Sequence, residues 1–236
     1  MLDKRVSEVK ALIDQLHKKD ILNLIFPDLN PESGSLDLDN IIVSGHSMGG
    51  STAMVVCDED KRVRTVLTHD IWYQIIKERL PKFKSIFDKN VQTITSAQYF
   101  VENHFEDPFG SKFRNTFKNK DLFSSLVVSR THHLQQTDCS VLLPHDLEIF
   151  LNVLVTSGIT DLYPRYNLMA PPRKINGVFQ LFITLWLKYL HDRGVRAPGT
   201  DFYNIVKTMK KYHSGDENEL GYVSDAWDFQ RDKYCR

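Results

Sequence analysis

Apolar residues recur at helical intervals at the start of the chain. Val6, Val9, Ile13 and Leu16, supported by Leu12, fall three or four positions apart, which predicts an amphipathic helix over 4–25. A polar stretch with Pro, Asn and Gly, "FPDLNPESGSLDLDN", then reads as a loop. Four short runs rich in β-branched residues follow and predict strands over 40–45, 62–69, 90–97 and 122–130. Helical patterns occupy Ser47 to about Cys57 and residues 108–119, 144–157 and 176–193. Beyond about residue 200 the chain is polar and aromatic, with one further helix expected over 201–212. Strands alternating with helices and long connections imply parallel pairing. In such sheets reactive groups gather where the strands end.

Length and composition narrow the class. The chain has 236 residues, enough for one large domain, with 42% apolar and 25% charged residues. Thirty basic and thirty acidic side chains cancel, so no electrostatic footprint points to nucleic acid or to an anionic membrane surface. The cysteines, Cys57, Cys139 and Cys235, form no disulfide framework. They favour a reducing, cytoplasmic compartment, although secretion stays open. The first residues lack the apolar core of a signal peptide. The most apolar segment, "GVFQLFITLWLKYL" at 177–190, is shorter than the roughly 20 residues of a membrane span and predicts a buried helix.

Gly45-His46-Ser47-Met48-Gly49 matches G-x-S-x-G between a predicted strand and a predicted helix. A serine on so tight a turn is pushed out of the sheet, and glycines two before and two after it relieve collisions. The helix that starts there aims free N–H groups at the site, that of Met48 towards a developing oxyanion. Ser47 is therefore the candidate nucleophile. It requires a base, and His132 and His133 directly follow the fourth strand. His46, inside the turn, is expected to pack beside it, and His104 and His145 to lie on the surface. The acid is either Asp70, which ends the second strand, or one of Glu102, Glu106 and Asp107 after the third. Trp72, Tyr73, Ile75 and Ile76 are expected in the core, with an acyl-pocket rim as the alternative.

The residues then resemble a known family. "LDLDNIIVSGHSMGGSTAM", Asp70 in "HDIW", "ITSAQYF", and His133 in "HLQQTD" are similar to segments of the platelet-activating factor acetylhydrolases of the plasma and intracellular type II kind, which are lipase-like α/β-hydrolases. The resemblance covers about residues 5–192. It implies Ser47 as nucleophile, Asp70 as acid in preference to Glu102, and His133 as base, chosen over His132 by its spacing to Asp138. It implies the Met48 N–H as one half of an oxyanion hole. It also implies calcium-independent removal of a short or oxidised sn-2 acyl group from a phosphocholine lipid, with no metal or organic cofactor and with transient contact to a membrane or lipoprotein surface. His132 and Leu134 flank the histidine differently from the family's usual pattern, and the loop over 98–121 is longer.

A complete sheet of this kind has about eight strands, with the nucleophile after the fifth. Only 46 residues precede Ser47. The expectation is therefore the C-terminal portion of an α/β-hydrolase fold, about four parallel strands with flanking helices, the N-terminal strands and a second oxyanion donor missing. Residues 1–195 would form this partial domain and 196–236 a partly helical or irregular extension. Besides the phospholipid esterase, a general esterase or thioesterase and a catalytically impaired fragment remain as alternatives.

Overall fold

The computed structural model describes residues 1–18, 21, 36–96, 99–100, 109–117, 121–128, 131, 133, 185–187, 189–194 and 223–225. Four parallel strands follow one another across a single sheet: β1 (Ile41–His46), β2 (Val63–His69), β3 (Asn90–Ser96) and β4 (Phe123–Val128). Each lies within two residues of its predicted span. A fifth strand, β5 (Val223–Asp225), pairs antiparallel with β4. It falls in the stretch read as irregular, because three residues are too few to display a period. Among the described residues β1 pairs on one side only, with β2. Its residues are mostly half-buried, whereas nearly all of β3 is buried.

Helix α1 (Leu2–Leu16) packs Val6 and Ile13 into the core, with Val9 and Leu2 beside them. Leu12 is 54% exposed. A step of 100° per residue carries it off the stripe that the other four share, so it does not support the helix as expected. Helix α2 (Met48–Glu59) is buried from Gly50 through Cys57, on all sides, because α1 covers it opposite the sheet. The Lys89 ammonium closes its end by donating to the carbonyls of Cys57 and Asp60.

Helix α3 (Phe109–Thr116) lies between β3 and β4 in the chain. Phe113 packs edge-on against Phe117, which stacks on Phe123 at the start of β4, and Phe87 meets both helix-side rings. The connection from β2 to β3 is built of 3₁₀ turns and is pinned to α2, where Asp58 Oδ1 accepts the N–H of Lys84 and of Ile86. Residues 185–187 and 189–192 are helical, within the predicted 176–193. The predicted helices at 144–157 and 201–212 lie outside the described residues. No helix among the described residues is long and apolar enough to cross a membrane.

Candidate active site

The turn after β1 is sharp and strained. Ser47 has φ 55° and ψ −119°, a conformation that L-residues avoid and that surrounding structure must impose. Its N–H donates to the His69 carbonyl at 2.9 Å, and its own carbonyl accepts from Ser51 N at 3.1 Å and Trp72 N at 3.2 Å. The Ser51 hydroxyl donates to the Trp72 carbonyl at 2.7 Å. The nucleophile turn is thus stapled to the segment that follows β2.

The glycines divide the steric work unequally. A Cβ on Gly45 would sit 2.3 Å from both C and O of Gly49. One on Gly50 would meet the carbonyl oxygens of Gly45 at 3.2 Å and His69 at 3.4 Å. A Cβ on Gly49 would have nothing within 4 Å among the described residues. The sequence reading gave both motif glycines the same duty. The structure gives it to Gly45 and, more loosely, to Gly50, because Gly49 has already joined α2 with its Cβ direction in open space.

Asp70 directly follows β2 with a positive φ of 40° and is fully buried. Its N–H donates to the Ile94 carbonyl at 3.1 Å. Oδ1 accepts the Ser96 N–H at 2.6 Å, and Oδ2 accepts the Ser96 hydroxyl at 2.8 Å and His133 Nδ1 at 3.2 Å. Burial alone would push this carboxyl up. The hydrogen bond and charge of His133, with the Ser96 amide, outweigh it and hold the carboxyl below its ordinary range.

His133 is 4% exposed, and its Nε2 lies 3.0 Å from Ser47 Oγ. The Asp70 carboxylate can only accept, so Nδ1 donates to it and Nε2 is left to accept from the serine. Thr131, whose hydroxyl donates to the Val128 carbonyl at 2.6 Å, fastens the chain between β4 and the base. The structure therefore brings Ser47, Asp70 and His133 into one continuous hydrogen-bonded line at the carboxyl ends of β1, β2 and β4. Met48, the first residue of α2, offers its N–H beside Ser47. His132, His104, His145, Glu102, Glu106 and Asp107 lie outside the described residues.

Sequence reasoning missed Ser96, which makes two hydrogen bonds to the acid; its place at the end of the third predicted strand was the available signal. Of the aromatic and aliphatic group after Asp70, Tyr73 and Ile76 are buried in the core, whereas Trp72 is 42% exposed. Cys57, free and buried in α2, has its thiol pushed up to about 12 by burial, which removes it as a rival nucleophile. Ligating atoms of His46, Asp70 and His133 lie within 4.8 Å of one another. Both Asp70 oxygens and both His133 nitrogens are already engaged with Ser96, Ser47 and each other, so a metal would have to break the hydrogen-bonded line in order to bind.

His46 packs beside the turn, as expected, and its Nε2 is buried without a hydrogen-bond partner among the described residues. Burial first, then the neighbouring His133, push it down from 6.5 to about 4. Between those values the unfolded chain binds a proton here that the folded chain refuses, so stability is full above pH 6.5 and falls towards pH 4. The loss expected over the window is about 3 kcal/mol. Asp70, depressed in the fold, loses its contribution only at lower pH, below the ordinary carboxylate range. Urea midpoints measured from pH 7.5 to 4.5 should fall in wild type and flatten in His46→Leu. A wild-type midpoint constant over that range would contradict the burial of a neutral imidazole.

The family model described as platelet-activating factor acetylhydrolase, isoform II, matches residues 3–169. Among solved structures, the chain is similar to a ferulic acid esterase from Streptomyces cinnamoneus, with a TM-score of 0.51 and 14% sequence identity over 95% of this chain and 54% of that one. The chain spans about half the length of that structure. At this identity the likeness shows the fold, and the fold is that of the α/β-hydrolases.

Proposed function

The chain belongs to the platelet-activating factor acetylhydrolase, isoform II, family, and from that premise we propose that it is a serine ester hydrolase that removes a short or oxidised sn-2 acyl group from platelet-activating-factor-like phospholipids. The observation that carries the reading is the line from Ser47 Oγ through His133 to Asp70, at 3.0 and 3.2 Å. His133 Nε2 takes the hydroxyl proton as Ser47 Oγ bonds to the ester carbonyl carbon. The resulting oxyanion is held by the Met48 N–H at the positive end of α2. The tetrahedral intermediate collapses as His133 returns the proton to the departing lysophospholipid alcohol, leaving an acyl group on Ser47. Water then repeats the sequence: His133 accepts its proton, the acid is released, and Ser47 recovers its hydrogen. Asp70 keeps Nδ1 protonated throughout and balances the charge that the imidazole takes up. Trp72, exposed two residues after the acid, is suited to meet the acyl chain or a lipid surface.

The test compares kcat/KM for a 1-alkyl-2-acetyl phosphocholine, its long-chain sn-2 counterpart and a simple aryl acetate. The acetyl phospholipid is expected to exceed the long-chain lipid by at least about tenfold, a difference of about 1.4 kcal/mol. Turnover of the aryl ester with none of either lipid would replace the phospholipid reading with a general esterase.

A further inference from the structure

Two rings that take no part in the reaction as derived touch the base. The His46 imidazole, at the end of β1, lies 4.4 Å from the His133 ring, centre to centre, tilted by 35°. The Tyr99 phenol, three residues beyond β3, lies 4.6 Å away and is nearly parallel, at 17°. Tyr99 is 6% exposed, so this stack is walled off from water.

The two hydrogen bonds of His133 leave it one soft motion. They hold both nitrogens but resist a tilt along the ring normal only weakly, because hydrogen-bond angles bend more easily than hydrogen bonds stretch. A tilt that lifts Nε2 out of the ring's resting plane swings its lone pair away from the Ser47 hydroxyl. Contacts on the ring faces oppose that tilt. A phenol face also carries the negative side of the ring quadrupole, which attracts a cation, and His133 becomes a cation whenever Ser47 gives up its proton. Among the described residues, the groups facing His133 are Ser47 and His46 at the end of β1, Asp70 after β2 and Tyr99 after β3. Of these Asp70 carries charge at neutral pH, and His46, neutral there, adds no repulsion.

We propose that Tyr99 and His46 are positioning residues for the base: their rings hold the His133 imidazole in the plane that aims Nε2 at Ser47, and the Tyr99 face steadies the imidazolium formed in turnover. This rests on the reading of Ser47, Asp70 and His133 as the catalytic groups.

The experiment uses Tyr99→Leu, Tyr99→Phe and His46→Leu in the full chain, with two measurements. Proton NMR follows the downfield signal of the Nδ1–H bonded to Asp70, which reports ring orientation without turnover. Fluorophosphonate labelling of Ser47 reports reactivity. Tyr99→Leu should broaden the signal and slow labelling about tenfold. Tyr99→Phe, which keeps the ring face, should restore both, and His46→Leu should broaden the signal. A folded Tyr99→Leu with wild-type signal and labelling rate overturns the proposal. If that variant does not fold, an unchanged signal in His46→Leu does so. A wild-type protein that fails to label, while the signal responds as described, supports the ring clamp and rejects the catalytic reading instead.

Discussion

Replacing Ser47 by alanine is expected to lower kcat by about 10⁴- to 10⁶-fold and to abolish fluorophosphonate labelling, with little change in stability. The effect is large because, in the proposed mechanism, the hydroxyl is the one group in the line that bonds to the substrate. It does not extend to complete loss of rate enhancement, because in that mechanism the Met48 N–H at the start of α2 would still meet a polarised carbonyl oxygen. Stability should hold to within about 1 kcal/mol. Among the described residues the hydroxyl leaves a single partner, His133 Nε2, and the backbone staples of residue 47 to His69, Ser51 and Trp72 do not involve its side chain. Initial rates with a short-chain ester, together with the labelled peptide identified by mass spectrometry, check the result. Undiminished labelling in the alanine variant would place the nucleophile elsewhere.

The second large effect is one of folding. Gly45→Ala is expected to destabilise the chain by about 3–5 kcal/mol, a large part of the stability of an ordinary domain. The added carbon would stand 2.3 Å from the carbonyl carbon and oxygen of Gly49 and 2.7 Å from Gly50 N. These are backbone atoms of the first turn of α2, so relief requires moving the helix off the strand. Gly49→Ala, four residues away, meets nothing within 4 Å among the described residues and should be neutral or stabilising by up to about 1 kcal/mol, from helix propensity. Urea denaturation of the pair checks both. The opposite order of midpoints would mean that the turn is built differently.

Much of the sheet was legible because each parallel strand is a run of β-branched residues bounded by polar turns. "NIIVSGH", "RVRTVLTH", "NVQTITS" and "LFSSLVVS" all announce themselves by composition. β5 did not, since three residues beside β4 need no pattern of their own. Leu12 was misread for a related reason: any leucine three or four positions from another looks like part of a stripe until the wheel is drawn in full.

At the candidate site, legibility followed position in the chain. Ser47 was visible through a local motif, and Asp70 and His133 through their places just after strands. The residues alone left Asp70 competing with Glu102, Glu106 and Asp107, and His133 with His132; the resemblance to the family chose between them. What no local signal disclosed was contact across the sheet. Ser96 and Tyr99 reach the acid and the base from the end of β3, and His46 from the end of β1. Their roles depend on register between β1, β2, β3 and β4, which a single sequence does not state. The glycines show the same limit, because a motif records which residues are small and leaves unsaid which of them has a neighbour.

The backbone at residue 47 has a consequence for the history of the chain. At φ 55° and ψ −119° a glycine would sit without strain, whereas any side chain there costs on the order of 1–3 kcal/mol. Random drift judged by thermal endurance alone would therefore tend to erase this serine and leave a sturdier, inert protein. A serine at the least comfortable point of the turn is what selection for chemistry, and not for endurance, would keep there. In a collection of variants, its loss without loss of the fold would mark the lineages in which that selection had been lifted.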